Sequence, residues 1–79
     1  MDSLNDDSGV LIYPNPAINY ALIKSLKPIT RVEIYDSFGK LVKKSENNTK
    51  ISISQWQKGI YLVRIYLGNQ VVTKKLIIN

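Results

Sequence analysis

The last third of the chain, residues 59–79, has the sequence pattern of a β-hairpin. Two runs rich in β-branched and aromatic residues flank Gly68-Asn69, a dipeptide that tolerates the backbone angles of a two-residue hairpin turn. Both runs are too short to cross a membrane as helices, and they are too β-branched to favour a helix. We therefore expect two antiparallel strands joined by a tight turn.

The first arm of this hairpin carries apolar residues on both faces. Alternation along a strand places Tyr61, Val63, Ile65 and Leu67 on one face and Ile60, Leu62, Arg64 and Tyr66 on the other. Since neither face is polar throughout, this arm is predicted to lie in the middle of a sheet. On the second arm alternation does not decide which face is buried, because Lys74 interrupts the more apolar one. The sequence ends with that arm, so we expect it to be accessible to another protein.

The composition excludes several kinds of chemistry. A chain of 79 residues forms one domain, near the lower size limit at which a single hydrophobic core is stable without disulfides or a structural metal ion. Cysteine and histidine are both absent, which removes disulfides, thiolate metal sites and the usual nucleophile–base pairs. We therefore expect no enzymatic activity, no metal and no cofactor. A chain without cysteine fits a reducing compartment and a secreted bacterial protein equally well.

The charge is basic and unevenly placed. The formal net charge is +5, and from Val10 onward there are 11 bases against 3 acids. An excess of basic residues is compatible with binding to nucleic acid or to an anionic surface such as lipid head groups. The bases are nevertheless scattered, apart from Lys43-Lys44 and Lys74-Lys75, and this pattern favours solvated strand faces and protected sheet edges. We expect no nucleic-acid partner, and the acidic first residues do not form a signal peptide.

Short strand patterns recur between a polar, linker-like segment at residues 1–9 and the hairpin. The predicted strands span residues 10–13, 20–25, 29–36, 40–45 and 50–53. With the hairpin they make about seven strands at spacings of roughly 8 to 12 residues, which predicts an all-β, immunoglobulin-like antiparallel β-sandwich. The predicted core contains Val32, Ile34, Trp56, Tyr61 and Val63. We expect one helical turn over residues 54–58 to place Trp56 on that core.

Two connections contain residues that restrict the backbone. Pro14-Asn15-Pro16 follows the first strand, and each proline fixes its own φ and limits the residue before it. We therefore expect a rigid, extended corner there. Residues 36–40, Asp-Ser-Phe-Gly-Lys, are predicted to form a turn in which Gly39 takes the left-handed conformation.

Several of these segments, taken in order, resemble a known family. The matching segments are Tyr13-Pro14-Asn15-Pro16, residues 32–36 leading into Gly39-Lys40, residues 51–54, residues 59–63 and Thr73-Lys74-Lys75-Leu76-Ile77. In order, spacing and position they are similar to the type A C-terminal sorting domain of the type IX secretion system of Bacteroidetes. The resemblance covers residues 10–79. The chain departs from the family pattern at Ser52, where an aspartate is usual, and at Trp56-Gln57, where a leucine and a proline are common.

The resemblance implies that the domain is a non-catalytic secretion signal. Similar proteins carry an N-terminal cargo that folds in the periplasm, and the outer-membrane translocon and its shuttle proteins read the sorting domain. A cell-surface sortase often removes the domain afterwards, and the cargo reaches the outer membrane, the cell surface or the medium. By this resemblance residues 1–9 are the linker remnant to an absent cargo, and the sortase cut is expected there, before Val10.

Two segments are predicted to be recognised by the translocon. The corner at Pro14, Asn15 and Pro16 is rigid, so binding it costs little entropy. The terminal strand is predicted to be read by strand addition, or through its lysines and free carboxylate, and it comprises Thr73, Lys74, Lys75, Leu76, Ile77, Ile78 and Asn79. The plain structural alternatives are a chain reversal and an edge strand, which could also self-associate. The remaining motif residues are expected to serve the structure, namely Tyr13, Asp36, Gly39, Lys40, Gly59 and Tyr61.

The main alternative function is that of a fibronectin-like or carbohydrate-binding module. Tyr20, Tyr35 and Tyr66 would have to form a flat, solvent-facing row on which sugars stack. A nucleic-acid binder would instead need one contiguous face of lysines and a steep salt dependence of affinity. Both alternatives therefore make predictions about where these side chains lie.

Overall fold

The structure, a computed structural model, describes residues 9–46 and 49–79. Every regular element in these residues is a β-strand, so they contain no helix that could span a membrane. The strands are β1 (Val10–Tyr13), β2 (Tyr20–Ser25), β3 (Arg31–Tyr35), β4 (Leu41–Ser45), β5 (Lys50–Ser52), β6 (Gly59–Leu67) and β7 (Gln70–Ile78). The predicted linker lies outside the described residues except for Gly9, and so do residues 47 and 48.

The strands form two antiparallel sheets. The three-stranded sheet has the order β1-β2-β5, and the four-stranded sheet has the order β4-β3-β6-β7. Buried apolar side chains from both sheets join in one cluster between them. The predicted all-β sandwich of seven strands is therefore confirmed. The prediction for the first hairpin arm is also confirmed, because β6 lies between β3 and β7.

Alternation decides which side chains enter the core. The four residues of β6 predicted to share a face, Tyr61, Val63, Ile65 and Leu67, are all buried. On β7 the inward face is the one that carries Leu76 and Ile78, which the sequence left open. The other buried apolar residues are Val10, Ala17, Ala21, Ile23, Val32, Ile34, Ile51 and Ile53. Four of the five predicted core residues are buried, and the fifth, Trp56, is half-buried and packs against this cluster.

The hairpin turn has the predicted position. Leu67 pairs with Gln70, which leaves Gly68 and Asn69 as the two turn residues. Gly68 has a φ of 71°, and among the described residues only glycines have a positive φ. A single positive φ at the first turn position is the geometry of a type II′ turn, whose twist matches that of the flanking strands.

The structure corrects the predicted helical turn over residues 54–58. This segment forms a single hydrogen-bonded turn, in which the Trp56 amide donates to the Ile53 carbonyl over 3.0 Å, and no helix follows. The reason is that the chain passes from β5 in one sheet to β6 in the other within six residues, and so short a segment cannot offset the cost of nucleating a helix.

Three strands are shorter than predicted. β3 begins at Arg31, because the amide and the hydroxyl of Thr30 both donate to the Tyr66 carbonyl instead of continuing the ladder. It ends at Tyr35, and β4 begins at Leu41, because Asp36 and Lys40 close the intervening turn. β5 ends at Ser52, and Ile53 bonds to the Asn19 carbonyl.

The strand registers place the connections at two opposite ends of the sandwich. Gly9, the β2–β3 bend and the Gly68-Asn69 turn lie at one end, where Val10 pairs with Ser25 and Lys27 Nζ donates to Gln70 Oε1 over 3.1 Å. The β1–β2 loop, the β3–β4 turn, the β5–β6 connection and the end of β7 lie at the other, where Gly59 pairs with Ile78. We call these the Gly9 end and the motif end, respectively.

Candidate recognition surface

The β3–β4 turn at the motif end is held by the Asp36 side chain. Asp36 Oδ1 accepts hydrogen bonds from the amides of Phe38 and Lys40, each over 2.9 Å. The Asp36 amide donates to the Lys40 carbonyl, and the Gly39 amide donates to the Asp36 carbonyl. Gly39 has a φ of 84°, the left-handed conformation that was predicted. This turn presents Phe38, whose side chain is 94% exposed, at its tip.

The start of β6 faces this turn. Gly59 has a φ of 148°, a backbone conformation that is essentially restricted to glycine. Two residues later the Tyr61 hydroxyl donates to the Gln57 carbonyl over 2.7 Å, and the Tyr61 ring packs against the Trp56 ring with centroids 5.5 Å apart. The buried tyrosine thus anchors the connection that replaces the predicted helical turn.

Together these two segments enclose a cleft of about 460 Å³. Four of the motif residues quoted above line it, namely Asp36, Lys40, Gly59 and Tyr61. Phe38, Trp56 and Lys58 also contribute to the lining. Segments that are 20 residues apart in the sequence are therefore brought together at one place. Among residues 9–46 and 49–79, no group of three or more potential metal-ligating side chains occurs.

The Pro14-Asn15-Pro16 corner lies along the outer edge of β7. Asn15 Nδ2 donates to the Lys75 carbonyl, and Asn15 Oδ1 accepts from the Ile77 amide, each over 2.9 Å. One side chain therefore satisfies two edge groups of a strand that is about 60 residues away in the sequence. Because a side-chain amide presents a donor and an acceptor side by side, Asn15 makes the two hydrogen bonds that a neighbouring strand would otherwise make at this position.

Ala17 continues the same contact with its backbone. Its amide donates to the Ile77 carbonyl over 2.7 Å, and its carbonyl accepts from the Asn79 amide over 2.9 Å. Ala17 is fully buried and forms a parallel bridge with Ile78. The two segments predicted as separate recognition surfaces, residues 14–16 and 73–79, are therefore parts of one surface.

Burial divides the residues of the terminal strand. Leu76 and Ile78 are core residues, so a partner cannot contact their side chains while the domain is folded. Lys74 and Ile77 are half-buried. Thr73, Lys75 and Asn79 are exposed, as are Pro14, Asn15 and Pro16 in the adjacent loop. Tyr13 at the end of β1 is 44% exposed.

A polar network on the outer face of the four-stranded sheet was not predicted. Glu33 Oε1 accepts hydrogen bonds from the hydroxyls of Tyr35 and Tyr66, each over 2.9 Å, and Glu33 Oε2 lies 3.2 Å from Arg31 Nε. The hydroxyl of Tyr35, and then that of Tyr66, hold the pKa of Glu33 below its usual value. The same contact with Glu33 raises the pKa of Tyr35. The alternation of Arg31, Glu33 and Tyr35 along one strand was the only available signal, and it does not identify Tyr66 as the partner.

The three tyrosines of the carbohydrate-binding alternative do not form one row. Tyr20 belongs to the three-stranded sheet, with Lys50 Nζ 5.3 Å from its ring centroid. Tyr35 and Tyr66 belong to the other sheet, and the Arg31 guanidinium lies 4.0 Å from the Tyr66 ring centroid. The faces of Tyr20 and Tyr66 are thus occupied by cations, and the alternative loses the feature on which it depended.

The lysine pairs likewise do not share one face. Lys43 and Lys44 lie on β4, and Lys74 and Lys75 lie on β7, which are the two opposite edges of the four-stranded sheet. Lys24 and Lys50 belong to the other sheet. The distribution therefore does not provide the contiguous basic face that a nucleic-acid binder requires.

Comparison with known proteins agrees with the resemblance read from the motifs. The model of one family, described as a secretion system C-terminal sorting domain, matches residues 11–79, which is nearly the whole chain. No curated protein matches the chain. The matched range includes both the cleft segments and the β1–β2 loop with β7. The chain therefore belongs to the family of secretion system C-terminal sorting domains, the sorting signals of type IX secretion.

Proposed function

We propose that this domain directs a cargo fused to its N-terminal side across the outer membrane, and that the secretion machinery reads the motif end of the sandwich. The observation that carries the proposal is the common location of the motif segments. The β1–β2 loop, the β3–β4 turn, the start of β6 and the end of β7 all meet at this end, although they are spread over the whole chain. Gly9, toward which a cargo would be attached, lies at the opposite end. A cargo would therefore extend away from the surface that is read.

The finer steps of export are also part of this proposal. The cargo crosses the periplasm in a folded state, and shuttle proteins and the outer-membrane translocon bind the domain. A cell-surface sortase then cuts within residues 1–9, and the cargo remains at the surface or enters the medium. Support comes from the family, whose members are fused to N-terminal cargo and exported by type IX secretion. The domain itself is proposed to have no catalytic role, in keeping with its lack of histidine and cysteine.

The proposal is tested by exporting a fluorescent protein with a Sec signal peptide and this chain at its C-terminus, in a Bacteroidetes host. We expect the fusion to reach the medium or cell surface and a version lacking the last ten residues to stay in the periplasm. That truncation also removes Leu76 and Ile78 from the core, so a surface variant is needed beside it. Lys75→Glu changes an exposed residue of the motif end, and Lys24→Glu on β2 is the matched control.

We expect Lys75→Glu to reduce export about tenfold and Lys24→Glu to leave it unchanged, since reversing one charge within an interface costs about 1 to 2 kcal/mol. Retention of the unmodified fusion in the periplasm would contradict the proposed function. Equal export of the two lysine variants would contradict the assignment of recognition to the motif end at this position.

A further inference from the structure

The loop between β1 and β2 exposes a cluster of apolar side chains beside the end of β7. Tyr13 is 44% exposed and Ile18 is 63% exposed, and Pro14 and Pro16 between them are exposed as well. Only Ala17 in this segment turns inward. Scattered exposed apolar residues are normal, whereas a patch of them marks an interaction site, and these four residues lie within six positions of the sequence. We call these four residues, Tyr13, Pro14, Pro16 and Ile18, the apolar ridge.

The apolar ridge is fixed in place by its contacts with β7. The Asn15 side chain makes two hydrogen bonds and Ala17 makes two backbone hydrogen bonds, so four bonds tie residues 15–17 of the loop to residues 75–79. A surface that is already ordered loses little entropy when it binds, so its apolar contacts contribute more of their energy to affinity.

The same contacts close part of the β7 edge. Strand addition requires free amide and carbonyl groups along an edge. At Lys75, Ile77 and Asn79 the groups that face outward are occupied by Asn15 and Ala17. A partner therefore cannot add a strand along residues 75–79 unless the loop first leaves. This makes the side chains of the apolar ridge, rather than the backbone of β7, the available contacts at the end of the terminal strand.

We propose that the apolar ridge, together with Lys75, is a docking surface for an apolar groove with a carboxylate at its rim, carried by a component of the secretion machinery. This inference rests on the proposed function, since it names the chemistry of the partner that reads the motif end. Lys75 is exposed and its backbone carbonyl is bonded to Asn15, which places this residue next to the loop that carries the apolar ridge. An apolar centre with a charge at its rim is the usual anatomy of a specific interface. Asn15 is a positioning residue in this account, because it acts by holding the apolar ridge against the strand.

The test uses the full-length chain fused to the secreted fluorescent reporter described above. Ile18→Ser and Tyr13→Ser change exposed side chains and are expected to reduce export about tenfold each, as for residues at the centre of an interface. Two exposed apolar residues at the Gly9 end provide matched controls, Leu26→Ser in the β2–β3 bend and Val71→Ser at the start of β7. Both controls are expected to be exported like the unmodified fusion. Thermal unfolding of each purified chain verifies that the fold is retained.

A variant of Asn15 distinguishes docking of the apolar ridge from strand addition, because the two models predict different changes in export. Asn15→Ala frees the Lys75 carbonyl and the Ile77 amide. If the machinery added a strand to β7, opening this edge would leave export unchanged or increase it. We expect export to fall, because the apolar ridge is no longer held. In Asn15→Ala, hydrogen exchange should become faster at the Ile77 amide and stay unchanged at the Val63 amide in the core. Asn19→Ala, in the same loop, is the control and should change neither export nor hydrogen exchange at Ile77.

The outcomes distinguish the two proposals. If the unmodified fusion is not exported, both the proposed function and this docking surface are overturned. If it is exported and the Tyr13 and Ile18 variants are exported equally well, only the docking surface is overturned. Export of Asn15→Ala at or above the level of the unmodified fusion would also overturn it, in favour of strand addition.

Discussion

Single side chains decide several features of this domain, and Glu33 makes its stability depend on pH in the acidic range. Its carboxylate accepts hydrogen bonds from two tyrosine hydroxyls and lies beside Arg31, so the ionised form is stabilised in the folded protein and the pKa of Glu33 is lowered. A group with a lowered folded-state pKa stabilises the fold above its unfolded pKa, which is about 4.3 for glutamate. That stabilisation is lost as the pH falls through the folded-state pKa.

We therefore expect Glu33→Gln to destabilise the chain at pH 7 and to have a smaller effect at pH 3. The measurement is urea unfolding of the wild type and the variant at both values of pH. Glu46→Gln is the matched control, since this residue is exposed after the end of β4. If the difference in unfolding free energy between wild type and Glu33→Gln were the same at pH 7 and pH 3, the tyrosine contacts would not be stabilising the ionised carboxylate.

Among the elements, the junction of the β5–β6 connection with β6 depends on one glycine. Gly59 has a φ of 148°, and a Cβ atom added there would have no neighbour within 4 Å. The cost of Gly59→Ala therefore comes from backbone strain rather than from a clash, and we expect about 1 to 3 kcal/mol of lost stability. Denaturant unfolding measures this loss, with Lys58→Ala as the control next in sequence. An unchanged midpoint for Gly59→Ala would show that the backbone relaxes without cost at this position.

The elements also show how far the sequence could predict the structure. Alternation of side chains identified β6 and its buried face, because the two faces of a strand follow directly from its period of two. The Gly68-Asn69 dipeptide identified the hairpin turn, because its two residues tolerate the backbone angles of a two-residue turn. The contacts of Asn15 with Lys75 and Ile77 could not be predicted, because they join segments about 60 residues apart and leave no local pattern. The helical turn at residues 54–58 was wrongly predicted, because the path between the sheets, not local propensity, sets its conformation.

At the scale of the whole molecule, the central feature is the separation of two ends. The motif segments gather at one end by strand register, and Gly9 lies at the other. From the sequence, the candidate site was predicted only as a set of motifs. The fold shows that Pro14–Pro16 and the end of β7 form one surface. It also shows that the β3–β4 turn and the start of β6 line the same cleft. The opposite positions of Gly9 and the motif segments are thus a property of the topology.

The most direct measurement of this polarity is site-specific photocrosslinking in cells that export the reporter fusion. A photoreactive phenylalanine analogue is placed at position 18 or at position 26, both exposed apolar sites at opposite ends of the sandwich. We expect the probe at Ile18 to crosslink to an outer-membrane component of the secretion machinery and the probe at Leu26 not to do so. Crosslinking from Leu26 without crosslinking from Ile18 would contradict the central claim that the machinery reads the motif end.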